Sequence, residues 1–247
     1  MSNLTYNFAQ KIRWLRLLAH SRSSRLNEKV ALEILNILPS KSPVIFDIGA
    51  NVGLFIKAFN KSINRPKVIF AFEPSSYVYS ILKLTTSRFK NVRCFKLAFA
   101  SKNGTTTLNM PLKKSGSIRV GLSHIGEVAD GEYLKENVET KLLDDFAEEM
   151  GCDSIDLIKI DVEGAEFEIL KGSNRILTEV RPFWFVELSE TSGRFNNSCT
   201  DTFKKLTDAN YSAFYLNQNG EWCAVQDYIY ENDFLFVPNE ILNTLKI

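Results

Sequence analysis

Six charged residues stand at or just beyond the ends of short apolar runs: Asp47, Glu73, Lys159, Asp161, Glu163 and Glu187. Apolar runs of this length read as buried strands. In an open parallel sheet, ligands bind beyond the carboxyl ends of the strands, where strand order reverses. These six are therefore candidates for one site. Residues 44–53 read VIFDIGANVG, in which Asp47 is followed by Gly49, Asn51 and Gly53 at alternate positions. A turn stripped of side chains lets a ligand approach the backbone closely, and the helix after it presents unpaired N–H groups. Glu73 comes 20 positions after Gly53, just before Pro74. A carboxylate at that place can accept both hydroxyls of an adenosine ribose, although Glu-Pro is also ordinary loop chemistry.

Glycine spacing discriminates between ligands. A dinucleotide fingerprint is GxGxxG, with a helix dipole facing a pyrophosphate; this chain has GxNxG. A sulfonium nucleoside carries no phosphate, and an acid such as Asp47 can help hold its cationic amino-acid group, directly or through water. Methyl transfer to an alcohol also needs a group that takes a proton. Asp161 is the first candidate, as base or substrate positioner, with Glu163, Glu187 and His124 as rivals. Lys159 lies two residues earlier on the same strand face, where it can pair with Asp161 and keep it charged. The alternative for this cluster is an internal salt-bridge network that fixes the sheet edge. His124 falls in the segment SGSIRVGLSHIGEVADG, where a loop closing over an acceptor would suit it; a solvated loop histidine is the commoner case. Asp161, Glu163 and Glu187 lack the fixed spacing of a metal site, and no metal is assigned.

The elements that must carry these residues follow from periodicity and turn signals. After the first strand, a helix is expected over residues 54–60, a strand over 67–72, a helix capped by Ser75 or Ser76, and a third strand over 91–98. This alternation implies parallel pairing with right-handed crossovers. Asn103-Gly104 signals a hairpin that returns residues 105–110 antiparallel on or near the third strand. Residues 111–137 read as an irregular insertion. A short strand over 138–143, a helix over 144–150 and a strand over 156–161 come next. A helix over 163–171 then carries Glu163, Glu166 and Glu168 at the positive end of its dipole. A strand over 182–188, a helix over 200–209 and two antiparallel strands, 212–216 and one ending at 234–237, complete the chain.

Ahead of Pro43, Phe8, Ile12, Leu15 and Leu18 share one face of a basic helix that includes Lys11, Arg13 and Arg16, with Arg22, Arg25 and Lys29 beyond it. Such a helix can lie on an anionic membrane or receive an acidic substrate; packing on its own domain is the commoner case and the one expected here. A second helix is expected over residues 26–38. The whole chain balances 30 Lys and Arg against 29 Asp and Glu, which argues against a nucleic-acid partner. Its four cysteines form no CxxC pair, so free thiols in a reducing compartment are expected. No apolar run approaches the length of a membrane span. The expectation is a soluble, cytoplasmic protein; the sequence is silent on oligomeric state.

Taken in order, DIGANVG, AFEPS, KLLDDF, LIKIDVEGAEFEILKG and FVELS resemble the FkbM family of S-adenosylmethionine-dependent methyltransferases, over about residues 44–187. The resemblance implies an α/β, Rossmann-like class I methyltransferase fold. That fold is a mostly parallel seven-stranded sheet with an antiparallel C-terminal strand and helices on both faces. It would occupy residues 43–247, with an insertion at about 104–143 and an N-terminal helical extension over 1–42. It also implies that S-adenosylmethionine is held by Asp47, Gly49, Ala50, Asn51, Gly53 and Glu73, with Pro74 and Ser75 beside it. The implied reaction is methyl transfer to a hydroxyl of a saccharide, glycolipid or polyketide-like molecule. Two positions depart from the wider methyltransferase pattern. Asn51 stands where glycine is usual, and Asn tolerates left-handed backbone geometry. The third strand ends in Leu97-Ala98-Phe99 with no acid for the adenine amino group, which leaves main-chain atoms at Ala98 or the Ser101 hydroxyl. The competing readings are a nicotinamide-dependent oxidoreductase and a non-catalytic binding protein of the same fold.

Overall fold

The strands that read most plainly in the sequence are buried on both faces, which is why they are almost continuously apolar. They are β1 (Val44–Ile48), β2 (Val68–Phe72) and β8 (Leu157–Ile160). The computed structural model describes residues 8–20, 25–119, 122–125, 131–189, 198–229 and 232–245. β1 pairs parallel with both β2 and β8. The chain runs outward through β2 to β3 (Val92–Phe95), then returns across β1 to β8 and β9 (Phe183–Leu188). Strand order therefore reverses between β1 and β8. Helices α3 (Leu54–Lys61), α4 (Ser76–Thr86), α5 (Leu143–Glu149), α6 (Glu166–Lys171) and α7 (Cys199–Asp208) connect the strands.

The main sheet has eight strands among the described residues rather than seven, in the order β11-β10-β12-β9-β8-β1-β2-β3. β12 (Asn232–Pro238) inserts antiparallel between β9 and β10 (Tyr211–Leu216). The extra edge strand is β11 (Trp222–Val225), which the turn through Gly220 folds back onto β10. The third strand is also shorter than expected: β3 stops at Phe95, and Ala98–Phe99 forms β4 in a second sheet.

That second sheet replaces the irregular insertion. β5 (Gly104–Pro111) pairs antiparallel with β7 (Tyr133–Lys141), not with the third strand, in the order β4-β7-β5-β6. The polar composition of β7 hides a period-two strand whose Glu136, Val138 and Thr140 point inward. Glu136 is satisfied there by the Ser76 N–H at 3.0 Å and by Lys96 at 3.3 Å, as a buried carboxylate must be. The helix expected from Glu163 begins three residues later. Glu163 (φ 56°) and Gly164 (φ 108°) occupy the left-handed region and cannot open a helix.

Of the two N-terminal helices, α1 (Phe8–His20) packs against α4 and α2 (Arg25–Ile37) against α3. The packed face of α1 differs from the expected one. Leu15 is 60% exposed, whereas Gln10, Trp14 and Leu17 face inward. Polar anchors decide the rotation: the Trp14 indole donates to Ser80 Oγ at 2.8 Å, and the Tyr77 hydroxyl donates to the Gln10 carbonyl. Phe8, Leu18 and Arg25 side chains and Arg22 lie outside the described residues. No described helix is long and apolar enough to cross a membrane.

Under the sheet, Phe146 of α5 meets Phe72 edge-on at 4.9 Å and Phe95 at 5.0 Å, with Phe46, Phe70 and Phe99 completing the ring cluster. Phe146→Ala is expected to lower unfolding free energy by about 3–5 kcal/mol in urea denaturation. Leu15→Ala, at an exposed position, should change it by no more than about 0.5 kcal/mol.

Candidate active site

The turn after β1 is locked to its neighbours. The N–H groups of Gly49 and Ala50 both donate to the Phe72 carbonyl, at 3.1 and 2.9 Å. Gly49, Asn51 and Gly53 have φ of 78°, 49° and 79°, so Asn51 takes the left-handed geometry expected of it. A Cβ at Gly49 would lie 1.8 Å from the Asp161 carbonyl oxygen. Glycine is required there by the close approach of two strand ends.

A pocket of about 280 Å³ lies above these strand ends, at the lower end of the size range of small-molecule sites. Gly49, Asn51, Glu73, Pro74, Asp161 and Glu163 line its polar side. Leu97, Ala98, Phe99, Leu108 and Ile125 line its apolar side, supplied largely by the second sheet. Glu73 is almost wholly buried at the end of β2 and accepts from the Ser75 N–H at 3.0 Å. Burial pushes its carboxyl up to about 7, against the pull of the backbone N–H groups of Ser75 and Asn51.

Below the mouth lies a buried charge cluster. Lys159 Nζ is 3.0 Å from Asp161 and 3.4 Å from Asp47, its direct cross-strand neighbour. Burial alone would lower the Lys159 ammonium, but Asp161 and Asp47 outweigh it and hold it above its ordinary value. Burial would likewise raise Asp161; the Lys159 charge and a hydrogen bond with Glu187 outweigh it and keep Asp161 below the usual carboxylate range. Glu187 lines neither cavity and retains solvent-accessible surface, yet its carboxyl is crowded. Loss of water around it, then the Asp161 charge, push it up to about 9. Asp233, opposite Glu187 in β12, is raised to about 6 by burial and by Asp161.

Several expected residues take other positions. Asp47 lines neither this pocket nor the cavity beside it; it is 1% exposed, and its charge faces Lys159. Burial raises its carboxyl above the ordinary range. Ser75 is buried as the α4 cap, accepting from the Val78 N–H and touching Met110 Sδ. Gly53 caps α3, and Ala50 lines the neighbouring cavity. Ser101 bonds Glu168 and is absent from the pocket lining. His124 is not a solvated loop residue. It lies in the two-residue strand β6 (His124–Ile125), is 2% exposed, and lines the pocket with Nδ1 3.0 Å from the Leu122 carbonyl.

The sequence reading missed the apolar wall of Leu108 and Ile125, for which the alternation in TLNM was the available signal. It also missed Arg13, which with Leu17 and Asn27 lines a second cavity against the turn. The first pocket fits a nucleoside: a buried carboxylate for a diol, a bare turn at Gly49 where a Cβ has no room, and an apolar slot for a base.

Comparison with known proteins identifies the family. A family model described as Methyltransferase FkbM domain matches residues 47–213. The 2-O-methyltransferase NoeI of Sinorhizobium fredii is 34% identical over 175 residues, covering 66% of this chain and 70% of NoeI. Methyltransferase sdnD of Sordaria araneosa is 32% identical over 182 residues, covering 63% and 70%. The crystal structure of methyltransferase FkbM from Methylobacillus flagellatus KT shares the fold, with a TM-score of 0.52 and 14% identity; the match covers 92% of this chain but 58% of that one. With its strand ends, turn and pocket inside the matched residues, this chain belongs to the FkbM methyltransferase family.

Proposed function

We propose that the chain is an S-adenosylmethionine-dependent O-methyltransferase acting on a hydroxyl of a saccharide, glycolipid or polyketide-like natural product. The observation that carries this reading is the pairing of a buried, pocket-facing Glu73 with an anionic Asp161 across the bare turn at Gly49. The 2-O-methyltransferase name of a relative at 34% identity supports oxygen as the acceptor atom. Membership of a methyltransferase family displaces the nicotinamide oxidoreductase expectation.

When bound, S-adenosylmethionine supplies a methyl group on an activated sulfonium leaving group. Glu73 would accept from the ribose hydroxyls, Asn51 and Pro74 would border the nucleoside, and Ala98 would offer main-chain atoms to the base. The protein's work is then alignment and exclusion of water. Asp161, held charged by Lys159, would accept the hydrogen bond of the acceptor hydroxyl and take its proton as the new carbon–oxygen bond forms, while the carbon–sulfur bond of the donor breaks and its thioether leaves. An oxygen being alkylated becomes strongly acidic, so a weakly basic carboxylate suffices. Glu187 shares a hydrogen bond with Asp161 and orients it. Glu163 and His124 line the same pocket and shape it; neither is needed as the base.

Isothermal titration with S-adenosylhomocysteine should show binding to the full chain. Glu73→Gln is expected to weaken it about 10- to 100-fold, the loss typical of hydrogen bonds to a charged group. Only the ionised Glu73 accepts from both hydroxyls, so binding favours the deprotonated form. Affinity should therefore fall as pH drops through about 7, and Glu73→Gln should flatten that profile. Asp161→Asn should lower kcat by about 10²- to 10⁴-fold while changing S-adenosylhomocysteine affinity little. An unchanged kcat would remove Asp161 from the proton-accepting role. Binding without turnover across a broad panel of hydroxylated acceptors would favour the non-catalytic reading.

A further inference from the structure

The second cavity opens on the other side of the glycine turn and shares Gly49, Asn51 and Asp161 with the first. The two are adjoining compartments of one elongated site. Their chemistry differs. The first has no cationic side chain of lysine or arginine in its lining; the second brings Arg13 and Lys159 to the turn. Lys159 is already divided between Asp47 and Asp161. Arg13 is not so committed: its Nε is buried without a hydrogen-bond partner, and it joins no ion pair among the described residues.

Helix α1 holds Arg13 in place. Trp14 and Gln10 anchor the helix to α4, and Leu17, one turn beyond Arg13 on the same face, lines the same cavity. A guanidinium presents a planar fork of donors that matches a carboxylate. A ligand whose ribose meets Glu73 in the first compartment and which extends past Gly49 carries its far end into the second. For a methyl-donor nucleoside, that end is an amino acid.

We infer that Arg13 of α1 binds the amino-acid carboxylate of the methyl donor, so that the N-terminal helix completes the cofactor site. This rests on the methyltransferase reading above. The family match begins at residue 47, so Arg13 is a contribution of this chain outside the matched domain. It gives the basic helix a ligand rather than a membrane surface.

The test uses two ligands titrated calorimetrically into the full chain: S-adenosylhomocysteine, and 5′-methylthioadenosine, which keeps the nucleoside and sulfur but lacks the amino acid. Arg13→Gln should weaken S-adenosylhomocysteine binding about 10- to 100-fold and leave 5′-methylthioadenosine within about twofold. Arg13→Lys, which keeps the charge and loses the fork, should give a smaller loss confined to the same ligand, and it serves as the test if the Gln variant does not fold. Equal losses for both ligands would make Arg13 a structural residue and overturn the inference. Unchanged S-adenosylhomocysteine affinity with a raised KM for the acceptor would overturn it too, placing Arg13 on the acceptor. If the unaltered protein binds neither ligand, the methyltransferase reading itself fails; binding of both with no effect at Arg13 defeats only this inference.

Discussion

A lysine buried between two carboxylates sits at the point where the sheet changes direction. Lys159 and Asp47 face each other across the β1–β8 pair, and Asp161 follows at the end of β8. Lys159 and Asp47 are taken out of water together, with the partly exposed Asp161 beside them, and removing either buried partner leaves the other uncompensated. The cluster thus ties the ends of β1 and β8 to one geometry. The Asp161 N–H donates to the Ile48 carbonyl at 3.1 Å, and the Asp161 carbonyl presses against Gly49. The turn that borders both compartments rests on that contact.

The polar floor alone would make an open crevice. Its opposite wall comes from the small sheet, which the buried Glu136 fastens to Ser76 at the start of α4 and to Lys96 just after β3. The pocket consequently combines the charged groups of the strand ends with Leu108, His124 and Ile125 of the small sheet. The N-terminal helices close the far side of the turn, and their rotation is decided by a tryptophan and a tyrosine hydrogen bond rather than by their most obvious apolar stripe.

How much of this was legible depended on where each residue's partners lie along the chain. β1, β2 and β8 were plain because burial on both faces leaves a continuous apolar run. The left-handed Asn51 and the Lys159–Asp161 pair were legible because each is a local matter, of turn chemistry or of two residues on one strand face. β7 was not: its inward Glu136 and Thr140 are polar, and only distant partners make them inward residues. His124 read as a loop residue, whether candidate base or solvated, for the same reason, since its strand exists only through pairing with residues near Asn109. Glu163 read as the start of a helix because an acid there suits a dipole, but the chain must turn through left-handed geometry to pass over the end of β8.

By itself the sequence determined the parallel frame, the bare turn, the acid at the end of β2 and the family, all carried by residues close together in the chain or by a fixed spacing between motifs. Only the tertiary structure decided the role of each charge. Asp47 became a buried partner of Lys159 rather than a group lining the pocket, Glu187 a hydrogen-bonded neighbour of Asp161, and Arg13 part of the lining of the second cavity. Charge and hydrogen-bonding state depend on burial and on neighbours brought together from across the chain, and these exist only once the sheet has closed around them.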